Sequence, residues 1–409
     1  MRGGAQESFD LIVIGGGMTG LALACATAGA GLGVLLVERR PLAATLAPPF
    51  DGRVTAIAQG SRRLLEAIGV WPALAGDAQP IRDIRVGERH SPLTVHYDHR
   101  EVGDQPLGHI VENRLIRTAL LRRAGELAGR GLTLLAPATV ARLRWREEHA
   151  LIRLADGREL TAALVAAAEG RASPTRAAAA IEVLRWDYRQ TGIVATLAHE
   201  RPHRGLAVER FFPDGPFAIL PMTGRRSSIV WAAQERLARD LIGLADDDFM
   251  AELGERFGDQ LGALTLAGPR WHYPLSMVQA RRYTGRRLAL VGDAAHAIHP
   301  IAGQGWNLAL RDVAALAELL VDAKRLGLDP GSAAVLTRYE RWRRFDSLAL
   351  IAITDGLNRL FGNDLLPLRL ARELGLGLVE RVGPLKQFFM RHAMGLLGDL
   401  PRLMRGEAL

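Results

Sequence analysis

A glycine motif between an apolar run and a helix-forming stretch most constrains the fold of this chain. Residues 10–14 (DLIVI) form a short apolar run that predicts a buried parallel strand. The GxGxxG motif at residues 15–20 follows this run and leads into residues 18–29, whose composition favours a helix. A second apolar run lies at Val34–Val37. These segments together predict a βαβ unit of about 30 residues.

The three glycines of the motif have different roles in binding a dinucleotide. Gly15 allows a tight turn after the strand, and Gly17 lets the backbone approach a pyrophosphate. Gly20 lets the helix pack closely on the strand, while the free N–H groups and the helix dipole attract the anion. Glu38 ends the second strand and can accept hydrogen bonds from ribose hydroxyls. The motif alone does not choose between FAD and NAD, and a turn that merely needs glycine is the alternative.

A second glycine-rich segment, residues 288–312, lies far along the chain. An apolar strand runs into Gly292 and Asp293, and a helix is predicted from Asn307 to Leu326. The loop between them contains Pro300, Gly303 and Gly305. An acid at the carboxyl end of a strand lies where open α/β sheets bind ligands, and a helix N-terminus offers N–H groups to an electron-rich ligand edge. An NAD-dependent dehydrogenase does not need this second site, whereas a flavin extends far beyond its pyrophosphate, so the segment favours FAD.

These motifs resemble those of the group A flavin-dependent aromatic hydroxylases, and within them the ubiquinone-biosynthesis hydroxylases. The resemblance covers about residues 9–350, and its most specific part is the block from Gly292 to Asp312. The Asp51-Gly52-Arg53 segment and the helix through Arg114 also match. The resemblance implies an α/β fold, in which a Rossmann-like FAD-binding domain is interleaved with a β-rich substrate domain and followed by a C-terminal helical tail.

The expected division of the chain is discontinuous. Residues 1–75, 105–175 and 280–335 are assigned to the FAD-binding domain, residues 76–104 and 176–279 to the substrate domain, and residues 336–409 to the helical tail.

The resemblance also implies a role for each matching residue. Gly15, Gly17, Gly20 and Glu38 would hold the ADP half of FAD, Arg53 and Arg114 the pyrophosphate and ribityl region, and Asp293 the ribityl hydroxyls. Pro300, Gly303, Gly305 and Asn307 would line the flavin ring and are the best candidates for a catalytic role. One residue departs from the family pattern: Glu169 replaces an aspartate that the family links to handling of FAD and nicotinamide nucleotide.

The activity implied is that of an FAD-dependent monooxygenase that hydroxylates the ring of a polyprenylated phenol in ubiquinone biosynthesis through a flavin hydroperoxide. It would use O2 and electrons from NAD(P)H or another external donor. Two alternatives stay open: an FAD monooxygenase of a soluble aromatic compound, and a non-catalytic flavoprotein subunit that binds a lipid or a partner. A cytoplasmic protein, peripherally associated with the inner membrane or with other ubiquinone-biosynthesis proteins, is expected.

Charge and apolar patterning bear on the partners. The net charge is +8, but the basic residues are scattered, so nucleic-acid binding is not expected. No signal peptide or membrane-spanning segment is predicted. Residues 365–409 mix apolar residues with arginines, which suits either docking on a membrane or partner, or packing on the chain's own domain.

Several further residues are candidates for a functional site. His296 and His299 lack further ligands at a suitable spacing, so no metal is expected, and either loop hydrogen bonding or acid–base chemistry is open to them. Cys25 is expected to be packed in a helix. Four aromatic residues are predicted to lie either in a substrate-pocket wall or in the core: Phe211, Phe212, Phe217 and Trp231.

Overall fold

The computed structural model describes residues 7–46, 52–88, 94–361 and 366–409. The first third of the chain contains β1 (Glu7–Ile14), α1 (Met18–Gly29), β2 (Val34–Val37), β3 (Val54–Ala58), α2 (Gln59–Ala67), β4 (Gln79–Ile81), β5 (Asp83–Glu88), β6 (Thr94–Asp98), β7 (Gly108–Glu112), α3 (Asn113–Leu127) and β8 (Leu132–Leu135). The middle third contains β9 (Val140–Trp145), β10 (Ala150–Leu154), β11 (Glu159–Ala167), α4 (Pro174–Ala178), β12 (Val183–His199), β13 (Leu206–Phe212), β14 (Gly215–Met222), β15 (Arg226–Gln234), α5 (Glu235–Gly243), α6 (Asp246–Phe257), β16 (Leu264–Leu266) and β17 (Trp271–Ala280). The last part contains β18 (Thr284–Gly285), β19 (Leu288–Leu290), β20 (His296–Ala297), α7 (Gly305–Arg325), α8 (Ala333–Phe361), α9 (Leu366–Arg381), α10 (Gly383–Ala393) and α11 (Arg402–Arg405).

The predicted βαβ unit is confirmed, and it forms the centre of the first sheet. Strands β19, β11, β1, β2 and β8 lie side by side in this order and all run parallel. The central strands are apolar because both of their faces are covered: all four residues of β2 are buried, as are Leu11 to Ile14 of β1. Helix α1 is rich in alanine and packs closely against this sheet, with nine of its twelve residues buried.

The second sheet has nine strands and is mostly antiparallel. Its main order is β20-β17-β12-β15-β14-β13-β5-β6, and β16 pairs with β12. One face packs on α5 and α6 through a core that includes Phe217, Trp231 and Phe249. The alternation of side chains along these strands leaves the other face free to form a cavity wall. The predicted α/β architecture with a β-rich second part is confirmed.

A small third sheet has the order β3-β7-β4, and its strands β7 and β4 contact β14 of the second sheet. The predicted segments do not separate cleanly in space. Strand β20 belongs to the FAD-binding segment by sequence, yet it pairs with β17 of the second sheet. The division into three regions stays a prediction.

The C-terminal tail packs on the body of the protein over part of its length. Leu403 and Met404 of α11 are buried in the core of the first sheet, and Met390 and Met394 belong to a cluster with Ile81. Of the two alternatives for the tail, packing therefore holds for these residues. Among the described residues, no helix has the length and apolar character required to cross a bilayer.

Candidate active site

One continuous cavity of about 1930 Å3 connects the glycine motif to the free face of the second sheet. Typical small-molecule sites enclose about 300–1,000 Å3. The cavity therefore has room for a dinucleotide and a second ligand together. Its polar end is lined by the motif residues and by charged side chains, and its other end is lined by apolar strands and helices.

Packing explains two of the three glycines of the motif and leaves the third for a ligand. A Cβ atom on Gly20 would lie 1.9 Å from the Gly15 carbonyl oxygen, and one on Gly15 would lie 2.6 Å from the Ala168 carbonyl oxygen. Gly15 also has φ +112°, which favours glycine. Gly17 has φ −73°, and a Cβ atom there would meet no atom within 4 Å. Neither the fold nor the backbone requires glycine at position 17, so this position fits the close approach of a phosphate.

Glu38 is held in place at the end of β2. Its Oε2 accepts a hydrogen bond from the Gly16 N–H at 2.7 Å, and its Oε1 accepts one from the Arg40 N–H at 3.0 Å. The carboxylate lines the cavity beside the glycine motif. Arg114 and Arg117 of α3 also line it, and Arg114 donates to Glu112. Arg39 and Arg40, which follow Glu38, line it as well, so this end presents a fixed carboxylate and several guanidinium groups to a ligand.

Two further acids follow strands of the first sheet and line the cavity. Asp293 comes just after β19, and its Oδ2 lies 3.3 Å from Nε of Arg171, with both side chains partly exposed. Glu169 comes just after β11, and its Oε2 accepts from the Ser173 hydroxyl at 2.5 Å and the Thr175 N–H at 3.2 Å. Glu169 therefore stabilises the first turn of α4, a role that the sequence did not indicate.

The loop before α7 is arranged for an electron-rich ligand. No side chain caps the N-terminus of α7, and its first turn contains no acid. A Cβ atom on Gly305 would meet nothing within 4 Å. The Asn307 side chain accepts from the Ala58 N–H at 2.9 Å and donates to the Ala56 carbonyl at 2.8 Å, which fastens α7 to β3. The positive end of this helix therefore lies at the cavity, beside Pro300 and Gly303.

Both histidines of the loop are buried and hydrogen-bonded. His299 accepts from the Ile301 N–H through Nδ1 at 3.3 Å, so Nε2 carries the proton toward Oε1 of Gln190 at 3.2 Å. Burial lowers the pKa of His299 to about 4. His299 is therefore neutral at physiological pH, which disfavours acid–base chemistry by this residue.

His296 lies in a buried network behind the loop. Its Nε2 donates to Asp312 at 2.6 Å, and Asp312 also accepts from Nε of Arg343 at 2.8 Å. Burial alone would raise the pKa of Asp312, but the hydrogen bonds and charges of His296 and Arg343 outweigh it, and the pKa is lowered. Asp312 is fully buried, so this network holds α7 and α8 together beneath the loop. Among the described residues, no group of three or more possible metal ligands occurs.

Not every sequence-predicted residue reaches the cavity. Gly20 lies where α1 packs on β1, as its predicted packing role requires, and it does not line the cavity. Arg53 is also absent from the described residues of the lining, and its guanidinium lies 5.2 Å from the centre of the Tyr273 ring. Asp51 lies outside the described residues. Cys25 is buried in α1, where burial raises the pKa of its thiol to about 12.

The apolar end of the cavity, here called the sheet chamber, is formed by the free face of β5, β13, β14 and β15. Phe211 faces this chamber and stacks on Phe361 with ring centres 4.0 Å apart. Its neighbour Phe212 points to the opposite face, into the core with Phe217 and Trp231. Of the four aromatic residues considered, Phe211 therefore forms cavity wall and the other three form core.

One ionisable residue of the sheet chamber was missed by the sequence reasoning. Glu209 of β13 is half-buried and lines the cavity, and burial raises the pKa of its carboxyl to about 8. The available signal was an acid within the strand LAVERFF, whose only other charged residue is Arg210. Its inward orientation follows only from the register of the sheet.

The cavity mouth consists of four apolar residues of α8 and α10 that both line the cavity and face solvent: Phe345, Ile353, Phe388 and Phe389. Phe345 is 78% exposed and Phe388 is 54% exposed. Apolar side chains of this size are normally covered in a folded protein when they cluster.

Comparisons with known proteins agree with the dinucleotide-binding geometry of the cavity. Residues 8–347 match the family model described as FAD binding domain. Ubiquinone hydroxylase UbiL of Rhodospirillum rubrum is 52% identical over 412 residues, which cover 100% of this chain and 95% of that protein. The 3-demethoxyubiquinol 3-hydroxylase of Escherichia coli is 35% identical, with 96% of this chain and 100% of that protein covered.

Solved structures share the fold at lower identity. The p-nitrophenol 4-monooxygenase PnpA from Pseudomonas putida has a TM-score of 0.78 at 17% identity, with 96% of this chain and 100% of that chain covered. PqsL of Pseudomonas aeruginosa, in complex with 2-aminobenzoylacetate, has a TM-score of 0.75 at 23% identity, with 87% and 97% covered.

Proposed function

The chain belongs to the FAD-binding-domain family that its residues 8–347 match, and from that premise we propose that it hydroxylates the aromatic ring of a polyprenylated phenol in ubiquinone biosynthesis. The observation that carries the proposal is the single cavity that joins a dinucleotide cradle to an apolar chamber. The predicted choice of FAD over NAD is confirmed by the family match.

The residues at the polar end suit FAD. The open position at Gly17 would admit the pyrophosphate, Glu38 would accept from ribose hydroxyls, and Arg114 would neutralise phosphate charge. Asp293 would accept from the ribityl hydroxyls, and the uncapped N-terminus of α7 would face the ring. Bound FAD supplies the redox chemistry that activates O2, with electrons from NAD(P)H or another external donor.

The chain's own residues bind and orient the substrate and keep water away. The sheet chamber offers apolar strands on one side and the Phe211–Phe361 pair on another, so it suits an aromatic ring. The positive end of α7 lies at the same cavity, where it would stabilise negative charge that develops during the reaction. Exclusion of water from this region strengthens such electrostatic effects and limits side reactions.

The cavity mouth supports a lipid-bearing substrate over a soluble aromatic one. A small soluble phenol needs no exposed apolar rim, whereas a polyprenyl chain can leave the chamber along Phe345, Ile353, Phe388 and Phe389. Exposed arginines on the same helices, Arg344 and Arg391, suit an anionic surface, where each basic residue contributes about 1 kcal/mol. Peripheral association with a membrane through this mouth is part of the proposal.

A paired surface variant tests the membrane part. Phe345→Ser with Phe388→Ser should weaken flotation with anionic liposomes at least tenfold, because burial of each phenylalanine contributes about 1.5–3 kcal/mol. The matched control is Leu326→Ser with Leu328→Ser, two exposed apolar residues away from the mouth that are 73% and 58% exposed. Equal liposome binding by both double variants would contradict membrane contact through the mouth.

Metabolite profiling tests the reaction. A strain that lacks the gene should accumulate a prenylated phenol without one ring hydroxyl, and the intact gene should restore the quinone. Normal quinone in that strain, with no accumulated phenol, would contradict the proposed function.

A further inference from the structure

Glu209 is an acid in an apolar wall. In the sheet register it lies between Val86 of β5 and Ala218 of β14, and both neighbours line the same cavity. Ala207 and Phe211, two residues away on the same strand, also line it. Of the described residues that the second sheet contributes to this wall, Glu209 alone is acidic.

The Glu209 carboxyl has no partner within the described part of the chain. No described residue forms a hydrogen bond or ion pair with its side chain, and burial is the only cause of its raised pKa. Other acids on the cavity are engaged: Glu38 and Glu169 accept backbone N–H bonds, and Asp293 pairs with Arg171. Glu209 is half-buried and lines the cavity, and an acid in a cleft whose pKa is raised by burial is a candidate for a functional site.

We infer that Glu209 is a substrate-binding residue that hydrogen-bonds the ring hydroxyl of the phenol and thereby selects which ring carbon faces the cofactor. The inference rests on the proposed function and adds the polar contact that fixes the ring in the sheet chamber. A ring bound only by apolar contacts could rotate about its prenyl axis, because apolar contacts are non-directional. A single hydrogen bond from a fixed strand removes that freedom.

The protonation state of the carboxyl is consistent with this role. A pKa of about 8 leaves the group mainly neutral at pH 7, so it can both donate and accept a hydrogen bond without a buried charge. Glutamine has nearly the same shape and also donates and accepts. Leucine has neither capacity but suits the apolar surroundings.

The test compares two ligands on three forms of the FAD-loaded protein. The ligands are a phenol with one prenyl group and the prenylbenzene that lacks the hydroxyl, and binding is measured by the change in flavin absorbance. Wild type should prefer the phenol by about tenfold, the ratio expected for one hydrogen bond. Glu209→Gln should keep this preference within about threefold, whereas Glu209→Leu should abolish it by weakening phenol binding alone.

Stability provides the second readout. Because no partner is lost, Glu209→Leu should have a thermal midpoint equal to or above that of wild type, with full FAD content. Glu235→Gln, an exposed acid of α5, is the control for loss of charge and should behave as wild type. A Glu209→Leu protein that still prefers the phenol, or that unfolds well below wild type, would overturn the inference. If wild type turns over the phenol but binds both ligands equally, only the role of Glu209 is wrong. If wild type binds neither ligand, the proposed function is wrong as well.

Discussion

Two alanine substitutions in the glycine motif separate ligand binding from folding. Gly17→Ala places a methyl group where no protein atom lies within 4 Å, at a φ of −73° that alanine adopts freely. Its effect on the free energy of unfolding of the apoprotein should stay within about 1 kcal/mol. Gly20→Ala places a methyl group 1.9 Å from the Gly15 carbonyl oxygen. The backbone must then shift, at a cost of about 1–3 kcal/mol or more.

For FAD binding the order of the two variants should be reversed: Gly17→Ala should weaken FAD binding more than Gly20→Ala does. With the pyrophosphate at the proposed position, the methyl group of Gly17→Ala would occupy its space and remove at least one charge-assisted hydrogen bond, which contributes about 1.5–3 kcal/mol. The dissociation constant for FAD should therefore rise about 10- to 150-fold. Gly20→Ala should lose FAD only to the extent that it loses folded protein.

Both quantities can be measured on the same preparations. Chemical denaturation of the apoprotein gives the free energy of unfolding, and titration with FAD followed by flavin fluorescence gives the dissociation constant. A Gly17→Ala protein that binds FAD as wild type does would refute the assignment of the pyrophosphate to this position. A Gly17→Ala apoprotein as unstable as Gly20→Ala would refute the packing argument.

Three further substitutions test other parts of the site. Asp293→Ala should raise the FAD dissociation constant at least tenfold through loss of charge-assisted hydrogen bonds, and unchanged flavin content at sub-saturating FAD would argue against the ribityl contact. Glu169→Asp should lower the free energy of unfolding by about 0.5–2 kcal/mol, because the shorter side chain leaves Ser173 and Thr175 unsatisfied. The affinity of this variant for FAD should stay within a few-fold of wild type, and complete loss of flavin would show a direct role of Glu169 in binding. Asp312→Asn should cost up to about 3–5 kcal/mol in denaturant unfolding, because buried Arg343 loses one of its two charge partners and keeps only Asp346. Its control Asp322→Asn, on the same helix but paired at the surface with Arg402, should cost no more than about 1 kcal/mol, and equal costs would contradict the network.

Local patterns were sufficient for the elements that hold the cofactor end of the cavity. The apolar run and the glycine spacing predicted β1 and α1, and α1 spans Met18–Gly29 as expected. Helix α7 begins at Gly305 rather than Asn307. Glycine is a weak helix-start signal, and Asn307 uses its side chain on β3 rather than at a helix cap.

The orientation of some side chains depends on contacts between distant parts of the chain, which the sequence did not indicate. Glu209 faces the cavity because β13 lies between β5 and β14, and a shift of one residue would have turned it away. Arg53 belongs to a matching segment, but its position beside Tyr273 depends on a strand more than 200 residues away. The sequence of the tail allows two interpretations, because apolar residues suit a core as well as a membrane. Only tertiary packing separates buried Met404 from exposed Phe388.

A chain that uses FAD and O2 to add a hydroxyl to a prenylated phenol takes the new oxygen atom from O2, and isotope labelling measures this. The purified, FAD-loaded protein would be given a reductant, a phenol with one prenyl group and dioxygen enriched in oxygen-18, and the product would be analysed by mass spectrometry. We expect a hydroxylated ring that carries one labelled oxygen atom, formed only when protein, reductant and O2 are all present. Reduction of dioxygen without any labelled phenol product, on a protein that binds both FAD and the phenol, would contradict it.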